Sequence, residues 1–163
     1  MALRNIRYET DPILRKISKP VKEITSSILT LLNDMEETMK NYEGVGLAAP
    51  QIGILKRIVI IDIGEGLIEL INPQIVDKQG YQQWNEACLS VLGKSGIVER
   101  PLSVKVKAQN RLGEEIEINA EGYLAVVICH ELDHLDGILY IDKAISLSDL
   151  DDESDEESDG DDE

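Results

Sequence analysis

The segment ICHELDHLDG, residues 128–137, holds both histidines of this 163-residue chain, His130 and His134, with Glu131 just after the first. Histidines four apart on a helix project from one face toward a common point, the geometry of a pair of metal ligands. Glu131 is turned about 100° around the helix from His130. Its carboxylate therefore stands beside a metal, where it can hold a water without being the main ligand. A divalent ion lowers the pKa of such a water toward about 7, and the carboxylate can take its proton, which is hydrolytic chemistry. The competing reading is two helix histidines at a chance spacing. Against it, the chain spends both of its histidines here, in a stretch of helical period.

A catalytic metal site of this kind uses three protein ligands and keeps one position open. No third histidine exists, so the missing ligand is a carboxylate or a cysteine. Cys129 points about 100° away from His130, and Asp136 falls on the wrong face. Cys88, in NEACLSV, is free of that constraint, and a thiolate with two imidazoles suits zinc or ferrous iron. A buried core thiol is the other reading of Cys88, and the residues alone leave both open.

The glycine-rich stretch GVGLAAPQIG, residues 44–53, also fits G-x-G-x-x-A. A dinucleotide fingerprint must follow a strand and open a helix. Here a helical pattern precedes it, and Pro50 and a strand pattern follow. The better reading is an extended segment whose glycines let a ligand or another backbone approach closely. Gln51 could then donate its amide to an oxyanion; in a surface turn it would do nothing of the kind.

These groups must be placed by the elements around them. Asp11-Pro12 reads as an N-cap and first helical residue, opening a short helix PILRKIS. A longer helix is expected from Thr25 or Ser26 to Asn41, burying Ile28, Leu31, Leu32, Met35, Met39 and Tyr42 on one face. KRIVIID has strand length, and GLIELINPQIV reads as a strand interrupted at Asn72-Pro73. Val104, Val106 and Ala108 alternate, RLG turns, and EEIEINA alternates again, which predicts a hairpin. From about Ala120 to His134 the period is helical, with Gly137 as C-cap, and ILYID adds a short strand. The fold class is therefore α+β, with antiparallel or mixed sheets around a central HExxH helix and helices near the N-terminus.

Apolar residues make up 42% of the chain, with no Phe and one Trp, enough for one domain with a core. No stretch reaches the roughly 20 apolar residues of a membrane span. No export signal is visible either, so the expected location is the cytoplasm. Two cysteines in such a chain read as reduced rather than bridged. The net charge of −16 belongs largely to the C-terminus: Asp149–Glu163 carries eleven acids and no base, leaving −5 on the other 148 residues. Residues 1–147 are read as the catalytic domain and 148–163 as an acidic, disordered tail.

Taken together, GVGLAAPQ (44–51), EACLS (86–90) and HELDH (130–134) resemble the motifs G-x-G-x-A-A-x-Q, E-G-C-x-S and H-E-x-x-H of the peptide deformylase family, in that order. The resemblance runs from about Arg4 to Asp142. It implies an enzyme that removes the formyl group from the N-terminal formyl-methionine of nascent polypeptides, releasing formate. It implies one divalent metal ion per chain, Fe2+ in most such enzymes with Zn2+, Ni2+ or Co2+ as substitutes, held by Cys88, His130 and His134. Glu131 would shuttle the proton, and Gln51 with the backbone N–H of Leu89 would stabilise the oxyanion. Gly46 would pair with the substrate backbone, and Val45, Trp84, Tyr123, Val126 and Val127 would form the methionine pocket. Glu86, grouped with the substrate-binding residues, would support the Cys88 segment by pairing with Arg100. The implied protein is a monomer acting on nascent chains, and an acidic C-terminus argues against docking to ribosomal RNA by that end. Ala87 stands where the family has glycine, Leu92 where it often has proline, and Cys129 where it often has glutamine, which puts a second thiol near the site. A metallopeptidase using HELDH, or an inactive scaffold with an acidic interaction tail, are the competing functions.

Overall fold

Alternate residues of one four-residue strand feed two different cores. In the computed structural model, which describes residues 2–150, β2 (Ile58–Ile61) is buried at every position. Ile58 and Ile60 pack with α1 (Ser26–Asn41), and Val59 and Ile61 pack with α2 (Tyr123–Leu135). An unbroken apolar strand is what a sheet covered on both faces requires. That sheet has five strands in the order β1 (Gly46–Ala48), β2, β3 (Ile68–Gln79), β6 (Ser103–Gln109), β7 (Glu115–Glu121). A second sheet is formed by β4 (Gln82–Cys88), β5 (Val91–Arg100) and β8 (Ser146–Asp149). The α+β class is as expected, and every ladder between these strands is antiparallel. The parallel component allowed by a mixed sheet reduces to one isolated bridge, Lys19 with Lys56.

The α1 helix begins where its cap residue stands, with Thr25 accepting from the Ile28 N–H. Its expected apolar face is buried, except that Tyr42 is the C-cap and lies exposed. The β6–β7 hairpin also forms, with Val104, Val106 and Ala108 turned into the core.

Four expectations change in whole or in part. PILRKIS winds only one 3-10 turn, Pro12–Arg15, because Lys16 is already extended. Asn72-Pro73 interrupts the pairing of β3 with β6, as expected, but the strand itself runs on to Gln79. Asn72 takes the left-handed conformation (φ 53°), where asparagine is tolerated, and its side chain bonds both the N–H and the carbonyl of Val21. The second helix starts at Tyr123, since Ala120 still pairs with Val104 in β7. ILYID is not a strand: Tyr140–Asp142 forms a 3-10 turn that buries Leu139 and Tyr140.

The β4–β5 hairpin had no alternation to announce it, because QQWNEAC is mostly polar and VLGKSGIVER carries two glycines. At the other end, Ser148 and Asp149 belong to β8, paired with Ser95 and Lys94, so ordered structure extends two residues past the expected boundary at 147. The rest of the segment read as a disordered tail, residues 151–163, lies outside the described residues. Among the described residues no helix is long and apolar enough to cross a membrane.

Candidate active site

Ten of the thirteen residues of α2 are buried, because the helix packs against β1, β2 and β7 while the second sheet closes on its other side. This burial carries His130, Glu131 and His134 inward, to 8%, 4% and 1% exposure. Cys88 arrives from the end of β4, where the pairing with β5 slips between Glu86 and Cys88. The slip lies at Ala87, whose backbone is not in the left-handed region, so its extra Cβ causes no strain there.

One ligand atom each from Cys88, His130 and His134 lies within 4.8 Å of the others. Cys88 Sγ is 3.5 Å from His134 Nε2. A tetrahedral ion with a sulfur at about 2.3 Å and a nitrogen at about 2.0 Å spaces those two atoms about 3.5 Å apart. His130 Nδ1 faces Glu86 Oε1 at 2.8 Å, which leaves Nε2 toward the thiol. His134 Nδ1 is buried without a hydrogen-bond partner among the described residues. Burial, followed by the His130 and Arg100 charges, drives the His134 pKa well below the ordinary imidazole value and keeps it in the neutral, ligating form. The donor set and its spacing fit a divalent ion.

Behind His130 stands a buried charge network. Arg100 donates to both oxygens of Glu86, at 2.8 and 2.9 Å, and to Asp133 Oδ2 at 2.7 Å. Lys143 pairs with Asp133 from the surface. Burial acts against the Glu86 charge, but Arg100 and His130 overcome it and lower its pKa. Both Glu86 oxygens are thus engaged by Arg100 and His130, while the residue also lines the cavity. Arg100→Ala should lower unfolding stability by about 3 kcal/mol, because it strands a buried carboxylate; the shift of a urea midpoint reads this. An unchanged midpoint would refute it.

Glu131 sits across from this network, with Oε1 3.9 Å from His130 Nε2 and Oε2 buried without a partner among the described residues. Burial raises its pKa to about 7, against the His130 charge and with the Glu86 charge. A Cβ at Gly46 would stand 2.8 Å from Glu131 Cγ and 2.9 Å from Oε1. The glycine is needed for that close approach. Gly46→Ala should cut kcat about tenfold or more by displacing the carboxylate; a rate equal to that of the unaltered protein would sink this reading.

Gln51 is 1% exposed, not a surface turn residue. It lies in a 3-10 turn, Ala49–Ile52, that follows β1 directly. Its Oε1 accepts from the Ala48 N–H at 2.9 Å, and its Nε2 donates to Ser90 Oγ at 3.1 Å and lies 3.5 Å from Cys88 Sγ. Leu89 occupies the turn between β4 and β5, beside Cys88.

A cavity of about 340 Å³ opens onto these groups. All seven residues expected to meet a substrate line it: Val45, Gly46, Trp84, Glu86, Tyr123, Val126 and Val127. Val126 and Val127 are buried, while Val45, Trp84 and Tyr123 are partly open, with the Trp84 and Tyr123 rings 4.9 Å apart. Cys129 does not join them: it packs into the core with Val127, Leu132 and the five-stranded sheet, and burial raises its thiol pKa. The 100° offset from His130 turns it away, so the expected second thiol near the site is inert packing.

Ser90, Asp133 and Tyr140 went unread in the sequence. Tyr140 stacks on His130 at 5.9 Å between ring centres. Ser90 and Asp133 lie inside EACLS and HELDH, but nothing in their spacing says that one meets Gln51 and the other Arg100.

A family model described as Polypeptide deformylase matches residues 3–149. A peptide deformylase of Acetivibrio thermocellus is 56% identical over 151 residues, 93% of this chain and 89% of that protein. The crystal structure of peptide deformylase from Thermotoga maritima superposes with a TM-score of 0.87 at 41% identity, over 90% of this chain and all of that one. A Met-Ala-Ser-bound class I type b peptide deformylase from Acinetobacter baumannii gives 0.82 at 31% identity, covering 86% and 98%.

Proposed function

The chain belongs to the polypeptide deformylase family, and from that premise we propose how its own residues divide the work. It is a peptide deformylase, a hydrolase that removes the N-formyl group from nascent polypeptides. The observation that carries the assignment of residues is the convergence of Cys88, His130 and His134 beside a cavity that also exposes Glu131 and Gln51.

Cys88, His130 and His134 would hold one divalent ion, which when bound would supply a Lewis acid for water and the formyl group. Ferrous iron is the ion we assign, with zinc, nickel or cobalt able to replace it, since two imidazoles and a thiolate suit all four. Glu131 takes one proton from the attacking water as its oxygen bonds to the formyl carbon, then passes that proton to the leaving amine as the C–N bond breaks. The products are formate and a peptide with a free N-terminus. Gln51 Nε2 and the Leu89 N–H donate to the oxygen that gains charge. The substrate backbone lies along Gly46 as an added strand. The methionine side chain enters between Val45, Trp84, Tyr123, Val126 and Val127, an apolar pocket of modest selectivity. The central HExxH helix is thus the metal-binding element.

The enzyme acts as a monomer in the cytoplasm on nascent chains. The acidic residues 148–163 would be repelled by ribosomal RNA phosphates, so any meeting with the ribosome uses another surface. A metallopeptidase would have no use for Cys88 or Gln51. Protein prepared without oxygen should release formate from formyl-Met-Ala-Ser and leave internal peptide bonds intact. Absence of formate sinks the proposal, and metal analysis of the same preparation tests the iron assignment.

A further inference from the structure

Ser90 does not line the cavity, yet it is fully buried and its Oγ accepts from Gln51 Nε2 at 3.1 Å. The Gln51 amide has two ends, and only the NH2 end can donate to an oxyanion. The Ala48 N–H, a donor, holds the Oε1 end, and Ser90 holds the NH2 end by offering an acceptor. With both contacts made, one amide hydrogen is committed to Ser90 and the other is left toward Cys88. Turning the amide over would set two donors against each other at Ala48, inside a buried site where unpaired polar groups are costly, so the Ala48 N–H sets the orientation, while Ser90, whose hydroxyl can pair with either end, holds the amide in place.

Ser90 is itself pinned by a distant part of the chain. The Glu9 N–H donates to the Ser90 carbonyl at 2.9 Å, and two residues earlier the Arg7 N–H donates to the Gln51 carbonyl at 2.7 Å. Residues 7–9 thus tie the 3-10 turn that carries Gln51 to the β4–β5 turn that carries Leu89 and Ser90. These are the two places from which oxyanion donors come; the first follows β1 of one sheet and the second joins β4 and β5 of the other. Their separation is set by this staple as well as by the core.

We propose that Ser90 is a positioning residue for deformylation, holding in place the Gln51 amide whose NH2 the Ala48 N–H orients toward the reacting oxygen, and that the Glu9 backbone N–H fixes Ser90 in turn. The inference rests on the deformylase reading above. Loss of one such hydrogen bond, worth about 1 kcal/mol, should lower kcat about fivefold in Ser90→Ala while KM and metal content stay near those of the unaltered protein. In a Gln51→Ala background the same substitution should have no further effect, because Ser90 acts only through that amide. Glu9→Pro, which deletes the N–H, should slow the reaction severalfold, whereas Glu9→Ala, which keeps it, should not.

A readout independent of turnover is the Gln51 side-chain amide by 15N NMR, whose hydrogen exchange should quicken in Ser90→Ala. The proposal is overturned if Ser90→Ala keeps full kcat, if its loss is equally large without Gln51, or if the Gln51 amide is unaltered. Should Ser90→Ala fail to fold, the Glu9→Pro and Glu9→Ala comparison decides, with equal rates counting against it. If the unaltered protein releases no formate, the deformylase reading fails; the amide measurement still reports on Ser90.

Discussion

Replacing Glu131 by glutamine is expected to lower kcat for formate release by about 10²–10⁴-fold, the range for losing a positioned acid–base group, while the protein keeps its metal. The carboxylate has been placed where a neutral amide can fill the same space but cannot carry a proton. One oxygen lies 3.9 Å from His130, the other is buried without a partner among the described residues, and Gly46 leaves room for both. Burial also holds its pKa near 7, suited to taking a proton and giving it back near neutral pH.

The same burial has a thermodynamic signature. The carboxyl titrates near 4.5 when unfolded and about 7 when folded, so the folded state binds this proton more tightly. Its contribution is fully present below pH 4.5 and is lost as pH rises through 7. The loss in the metal-free protein is on the order of 3 kcal/mol. Metal-free Glu131→Gln should therefore resist urea better than the unaltered protein at pH 8 and match it near pH 4. Full activity in this variant would remove Glu131 from the mechanism, and equal stability at pH 8 would remove the burial argument.

The second large effect is expected at Cys88. Cys88→Ala leaves two imidazoles from one helix, and metal affinity should fall by more than the roughly 10–100-fold that loss of a supporting partner costs. After dialysis the variant should contain almost no metal and release formate at least 10³-fold more slowly, the scale of losing a principal source of charge stabilisation. The fold should survive. Cys88 is only half-buried, at the margin of a small cluster with Leu14, Val91, Val98, Leu139 and Tyr140. A variant that keeps stoichiometric metal and full rate would show that the third ligand lies elsewhere.

How much of this could be read beforehand differs from element to element, for physical reasons. His130 and His134 were legible because the helix itself sets their relation: four residues apart is one face wherever the helix lies. The α1 face and the β6–β7 hairpin were legible for the same reason, local periodicity matched to local geometry. The β4–β5 hairpin was not, since its strands are bound by pairing with each other and with β8 rather than by alternating burial, and their burial patterns are irregular. ILYID has strand composition, but the chain there must turn so that Tyr140 can pack on His130, and tertiary packing overrides a short propensity.

The amino-acid sequence by itself determined the inventory: two histidines and a carboxylate on one helix, a cysteine free of that helix, an extended glycine-rich segment with Gln51, and acid concentrated at the C-terminus. Tertiary structure alone decided which of these meet. The helix angle had already set Cys129 aside, but whether Cys88 was a ligand or a core thiol was open, and the slip at the end of β4 brings it to the histidines. Arg100 reaching Asp133, Glu131 closing on Gly46, and Ser90 meeting Gln51 are likewise contacts across 33 to 85 residues of chain. Periodicity reaches only as far as one element extends. Beyond it, position is fixed by how apolar faces pack and by which buried polar groups find partners.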